Sequence, residues 1–174
     1  MANPLLGIVL GSASDSQHAY TIGKILDELG IPFEVTISSA HRTPEDVVSY
    51  SISSKKRGIR AIIAVAGLSA ALPGVIAAHT DLPVIGVPVA SGSLGGIDAL
   101  LSITQMPPGV PVASVGINGS KNAAILAARI LALIDDNISE KLAIWAEEQK
   151  RKVQVSRAEL QDLPLVSEEI FTKE

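Results

Sequence analysis

Short apolar runs of strand length take turns with segments of helical period along nearly the whole chain, and no other pattern in it restricts the fold so much. Four runs rich in Val and Ile stand out, Leu5 to Leu10, Phe33 to Ile37, Ile59 to Val65 and Val84 to Val87, with a fifth from Pro111 to Ile117. Between them the spacing predicts helices. The clearest covers His18 to Leu29, with Ile22, Ile25, Leu26 and Leu29 on one face and Lys24, Asp27 and Glu28 on the other; Gly30 closes it and Pro32 opens the next strand. A second begins at Thr43-Pro44-Glu45-Asp46, a hydroxyl at the cap, Pro at the first helical position and a carboxylate three residues after the cap. Further helices are expected at Ala70 to Ala78, Gly96 to Thr104, Ser120 to Ile134 and Ile138 to Arg157. Strict alternation with short connections predicts right-handed crossovers and a three-layer α/β/α fold with an open parallel sheet, to which the last, charged helix is appended.

With 174 residues the chain is expected to form one α/β domain over residues 1–160, including the C-terminal helix, followed by a flexible or packing tail over 161–174. Hydrophobic residues make up 47% and charged residues only 18%, too apolar a balance for a disordered chain. A net charge of −4, with no like-charged block longer than three residues, argues against a nucleic-acid partner. The absence of Cys excludes disulfides, thiolate chemistry and Cys-ligated metal. Met1-Ala2-Asn3-Pro4 does not start a secretion signal, and a cytoplasmic location is expected. Ala61 to Ala78 runs 18 residues without a charge, but Gly67, Ser69, Pro73 and Gly74 interrupt it. It therefore reads as a buried strand, a turn and a short helix, not as a membrane span.

In open parallel sheets the ligand crevice lies beyond the carboxyl ends of the strands, so the loops after each strand hold the candidates. Gly11-Ser12-Ala13-Ser14-Asp15 joins small residues, hydroxyls and a carboxylate at the start of a helix; it suits either a phosphate or a plain helix cap by Ser14 or Asp15, with Gln17 completing a capping box. Ser38-Ser39-Ala40-His41-Arg42-Thr43 puts an imidazole beside a guanidinium, a pair able to move a proton and grip an anion, or else merely an exposed loop His and a surface Arg in an ordinary ion pair. Ala66 to Gly74 and Ala90 to Gly96 offer close-approach backbone in place of ionisable groups. His18 and His79 sit at helix ends, where the helix dipole is explanation enough. No His or carboxylate pair has metal-ligand spacing.

These stretches, together with Leu72-Pro73-Gly74, Gly86-Val87-Pro88-Val89 and the segment from Ser102 to Ala113 around Gln105-Met106-Pro107, resemble the N5-carboxyaminoimidazole ribonucleotide mutases of purine biosynthesis, over roughly residues 5 to 150. The resemblance implies a flavodoxin-like sheet, a homo-octamer with sites at subunit contacts, a small ribonucleotide substrate, and no metal or organic cofactor. It implies that His41 is the general acid and base, that Ser12, Ser39 and Arg42 hold the 5′-phosphate and Asp15 the ribose hydroxyls, and that Ala40, Gly67, Ser69 and Leu72 line the substrate site. One departure stands out: Ala71 occupies the place of a second active-site His. Ala66-Gly67-Leu68-Ser69 also resembles the Ala-Gly-Arg-Ser of the related carboxylases that take carbon dioxide directly, whereas Arg42 and Gly86-Val87-Pro88-Val89 follow the mutases. The alternatives to a mutase are therefore a direct carboxylase and a non-catalytic ribonucleotide-binding paralogue.

Overall fold

The structure, a computed structural model, describes residues 3–171. The first two residues of the segment read for a secretion signal and the last three of the expected tail lie outside the described residues. Strands β1 (Leu6–Leu10), β2 (Phe33–Ile37), β3 (Ala61–Gly67), β4 (Val84–Val89) and β5 (Ala113–Ser114) form one parallel sheet in the order β2-β1-β3-β4-β5. Helices α1 (Ser16–Glu28), α2 (Pro44–Ser54), α3 (Leu72–Ala78), α4 (Ile97–Thr104), α5 (Ser120–Ala132) and α6 (Asp136–Ser156) complete the flavodoxin-like α/β fold.

The side-chain period of two sorts the strands onto two cores. Leu6, Ile8 and Leu10 face a core shared with Ile22 and Leu26 of α1, Ala124 and Leu131 of α5, and Ile138 of α6. Val9, Ile62 and Ala64 face the opposite one, closed by Val47 of α2, Ile76 of α3 and Ile103 of α4. Both faces of β1, β3 and β4 are covered, which is why these strands read as unbroken apolar runs. The uncharged stretch from Ala61 to Ala78 resolves into β3, a loop and α3. No helix among the described residues is long and apolar enough to cross a membrane.

Three expectations need correction. The fifth strand, expected over Pro111 to Ile117, narrows to Ala113–Ser114. Pro111 has no N–H to give a ladder, and beyond Val115 the chain turns away through Asn118, which adopts a left-handed φ of 58° and donates its N–H to Pro88 O at 2.8 Å. The first helix starts two residues early, at Ser16, behind a single 3-10 turn over Ala13–Asp15. The second helix starts where expected, after Thr43, but without the capping box: the Thr43 hydroxyl makes no cap bond and turns back to accept from Ser39 N at 3.0 Å.

The appended helix is capped by Asp135, whose Oδ1 accepts from Asn137 N and Ile138 N. Its first half packs across the domain, with Leu142 and Trp145 against the first core, while Ile144, Val153 and Val155 remain exposed. Just beyond α6, the Arg157 guanidinium lies 3.8 Å from the ring centroid of Phe171 in the tail.

Candidate active site

Order β2-β1-β3 means that the chain leaves β1 in one direction and returns past it in the other, so the loops after β1 and β3 splay apart at their carboxyl ends. The splay is held from below by backbone bonds: Gly11 N donates to Val65 O at 2.9 Å and Ser38 N to Leu10 O at 2.9 Å. The opening is a cavity of about 550 Å³, in the range of small-ligand sites. Every site residue expected from the sequence lines it: Ser12 and Asp15 after β1, Ser39, Ala40, His41 and Arg42 after β2, Gly67 and Ser69 after β3, and Leu72 at the start of α3.

The first loop is capped by a residue other than those expected. Ser12 caps the 3-10 turn, its Oγ accepting from Ser14 N at 3.3 Å, whereas Asp15 at the cap of α1 makes no side-chain cap bond. Neither expected capping residue serves that purpose, so the Asp15 carboxylate is left for the cavity. It is 7% exposed, and burial pushes it above the usual carboxylate value, outweighing the Ser14 hydroxyl at 3.3 Å, the His18 charge and the Ser12 backbone, which pull it down. An Asp whose pKa is higher folded than unfolded binds protons more tightly in the native state. Its contribution is fully present below the unfolded value near 3.8 and is lost as pH rises through the raised folded value. Asp15→Asn is therefore expected to raise the Tm at pH 7, with the gain vanishing toward acid pH; a variant melting below the wild type at neutral pH would contradict the account.

The second loop is bound to itself and to the first. Ser39 Oγ accepts from Arg42 N at 3.3 Å and from Arg42 Nε at 3.4 Å, and Arg42 Nη2 donates to Gly11 O at 3.4 Å. These are long, solvent-exposed bonds, so the guanidinium is positioned without being consumed. The Thr43 hydroxyl, diverted from its cap, closes the same loop. His41 is exposed and has no side-chain hydrogen-bond partner among the described residues; its imidazole is the sole one lining the cavity. Of the alternative reading, the exposed loop His is present, whereas Arg42 forms no ion pair among the described residues.

The other two His residues lie outside the cavity. His18 is not a mere dipole partner, because its Nδ1 is 2.7 Å from Ser120 Oγ and ties α1 to α5, while His79 Nδ1 is 2.8 Å from Val75 O within α3 and its C-cap. No group of three or more His, Asp or Glu among the described residues is arranged to hold a metal.

Sequence reasoning assigned no role to Leu68 or Ser91, and both line the cavity. Leu68 adopts φ 55° in the third loop, a left-handed conformation that costs a non-glycine residue about 1–2 kcal/mol. Nothing in its local sequence announces this. The loop that carries Ser91, Ala90 to Gly96, is located by its place after a strand, but nothing in it singles out this hydroxyl.

The AIR carboxylase family matches residues 5–152. The chain is 51% identical over 160 residues to the N5-carboxyaminoimidazole ribonucleotide mutase of Pyrococcus horikoshii, covering 92% of this chain and 90% of that one. It is 50% identical over 161 residues to the phosphoribosylaminoimidazole carboxylase of Saccharomyces cerevisiae, covering 92% of this chain but 28% of that longer protein. The crystal structure of Treponema denticola PurE superimposes with a TM-score of 0.81 at 36% identity, over 90% of this chain and 98% of that one. A match that runs through all five strands and every loop of the cavity, with relatives half identical over nine-tenths of the chain, makes this protein a member of the AIR carboxylase family.

Proposed function

We propose that the chain is a mutase converting N5-carboxyaminoimidazole ribonucleotide to 4-carboxy-5-aminoimidazole ribonucleotide in purine biosynthesis. The observation that carries this reading is the cavity at the β1/β3 splay, which gathers Ser12, Asp15, Ser39, His41 and Arg42 in a chain half identical to a protein of that name. Arg42, Ser12 and Ser39 would take the 5′-phosphate, a dianion suited to a guanidinium fork and hydroxyl donors. Asp15 would accept from the ribose hydroxyls, which favour its charged form and offset the burial that opposes it. Ala40, Gly67, Ser69 and Leu72 would line the heterocycle.

His41 would carry the chemistry. As the exocyclic N–C bond breaks and carbon dioxide departs, the imidazolium gives its proton to that nitrogen. The ring carbon then attacks the carbon dioxide, and the neutral imidazole removes the proton left on that carbon. One proton is given and one taken, so the enzyme ends as it began. The apolar walls of the third loop would exclude water while carbon dioxide is free.

A direct carboxylase is the second reading, favoured by Ala71 at the head of α3 and by Ala66, Gly67 and Ser69. Feeding the purified protein each carboxylated isomer, and separately the free aminoimidazole ribonucleotide with bicarbonate, separates them. Interconversion of the isomers supports the mutase, and product formed only with bicarbonate supports the carboxylase. Nucleotide binding without turnover in either assay supports the non-catalytic paralogue.

The same reading carries a homo-octameric, cytoplasmic enzyme. Leu94, Ile97 and Leu101 around α4, and Leu133, Ile134 and Ile144 around the α5–α6 corner, are each more than half exposed in the single chain. Apolar surface of this extent favours burial between copies. Light scattering is expected to give eight times the chain mass; a monomer would contradict it.

A further inference from the structure

Three side-chain oxygens or nitrogens among the described residues are closed off from solvent with no hydrogen-bond partner: Tyr50 Oη, Asp98 Oδ1 and Ser91 Oγ. Ser91 alone of the three lines the cavity. A buried hydroxyl without a partner costs about 1–3 kcal/mol, so its retention calls for a reason.

Its surroundings are built to hold it. An ideal Cβ placed on Gly67 would overlap Ser91 Oγ, and Gly67 does not have the left-handed backbone that would itself require glycine. The glycine therefore admits the hydroxyl. On the next residue pair the relation reverses: a Cβ on Gly92 would come within 2.7 Å of Leu68 Cδ2, so the third and fourth loops interlock side by side. Behind Ser91, Ala90 N donates to Asn118 Oδ1 at 2.9 Å, and the Asn118 backbone is bonded to Pro88 O, which fixes the start of the fourth loop.

The position across the sheet sets what the hydroxyl can meet. The phosphate groups proposed above follow β2 and β1, and Ser91 follows β4, on the far side of β3. A ribonucleotide with its phosphate at the β1/β2 end extends its heterocycle toward β3 and β4. The hydroxyl is packed into the wall beside Gly67, and a turn about the Ser91 Cα–Cβ bond brings it into the opening. We infer that Ser91 Oγ–H, so turned, donates a hydrogen bond to the carboxylate that the reaction moves, and to the carbon dioxide between the two bonds. This rests on the mutase reading.

The test is Ser91→Ala, assayed with the N5-carboxylated nucleotide and with the uncarboxylated aminoimidazole ribonucleotide. Loss of a hydrogen bond to a charged group predicts a fall in kcat/KM of about 10–100-fold. Binding of the uncarboxylated nucleotide is expected within about 2-fold of wild type, since it lacks the acceptor. A larger share of substrate is expected to end as free aminoimidazole ribonucleotide, because carbon dioxide is held less firmly. The Tm is expected not to fall, since the hydroxyl serves no partner in the fold. A kcat/KM within about 2-fold of wild type, an equal loss of binding for the uncarboxylated nucleotide, or a lowered Tm would each overturn the assignment. If the unsubstituted protein fails to interconvert the isomers, the mutase reading falls and takes this assignment with it; if it does interconvert them and the variant keeps pace, Ser91 alone is refuted.

Discussion

Replacing His41 by Asn is expected to lower kcat for isomer conversion by about 10²–10⁴-fold, the usual worth of a positioned acid–base group, while nucleotide affinity moves by no more than about 3-fold. Asn keeps much of the shape of the imidazole and some of its hydrogen bonding, but it cannot take up or release a proton near neutral pH. The split follows from the proposed division of roles: phosphate and ribose are assigned to Arg42, Ser39, Ser12 and Asp15, and none of these is hydrogen-bonded to the His41 side chain. The size of the loss depends on Ala71, because with Ala there the cavity holds no second imidazole to share the proton transfers. Asp15, the one carboxylate lining the cavity, is the group that could stand in, its affinity for a proton already raised by burial. Kinetics with both isomers alongside equilibrium titration of nucleotide check this; a kcat within about 3-fold of wild type would remove His41 from the mechanism and turn attention to Asp15.

Arg42→Ala is expected to raise KM by about 10–100-fold, the cost of losing a hydrogen-bonded cation from an anion site, with a smaller effect on kcat. Two losses combine. The phosphate forfeits its guanidinium, and the bonds from Arg42 to Ser39 Oγ and Gly11 O, which hold the second loop against the first, disappear. Arg42→Lys separates them, for an ammonium restores the charge but not the planar fork that reaches both loops. It is expected to recover part of the KM. An Ala variant with unchanged KM and a reduced kcat would place Arg42 at the reacting end of the substrate, contrary to the proposal.

How much of this was legible from the chain depends on the range of the force involved. Continuous apolar runs such as Leu6–Leu10 and Ala61–Gly67 read correctly as doubly covered strands, because burial on both faces leaves no room for polar alternation. The start of α2 was likewise visible in Pro44, whose fixed φ suits a first helical turn whatever lies around it. The two-residue β5 was not visible: the Val and Ile of that segment have strand propensity, but after Val115 the chain turns away, and its next bond to β4, from Asn118 N to Pro88 O, comes from a left-handed turn.

The site divides along the same line. Its residues were identifiable because they sit in the loops after strands and carry family motifs, and the structure gathers all nine around one cavity. Their bonding was not. Local chemistry assigned the Thr43 hydroxyl to its own helix and left Asp15 open between a cap and a ligand, yet Thr43 turns to Ser39 and the cap of the first loop comes from Ser12, arrangements set by neighbours a few ångströms away.

Order of elements, the parallel sheet and the loops that meet a ligand follow from periodicity and short-range sterics, and these are written in consecutive residues. Which hydroxyl is satisfied and which is buried without a partner depends on residues far apart in the chain. Ser91 is without a partner because Gly67, 24 positions earlier, lets it close while offering it nothing to bond, and Asp15 resists ionisation because the folded domain takes it out of water. Solvation of a single polar atom is a property of the packed whole, so it is at these two atoms that folding added chemistry the chain did not announce.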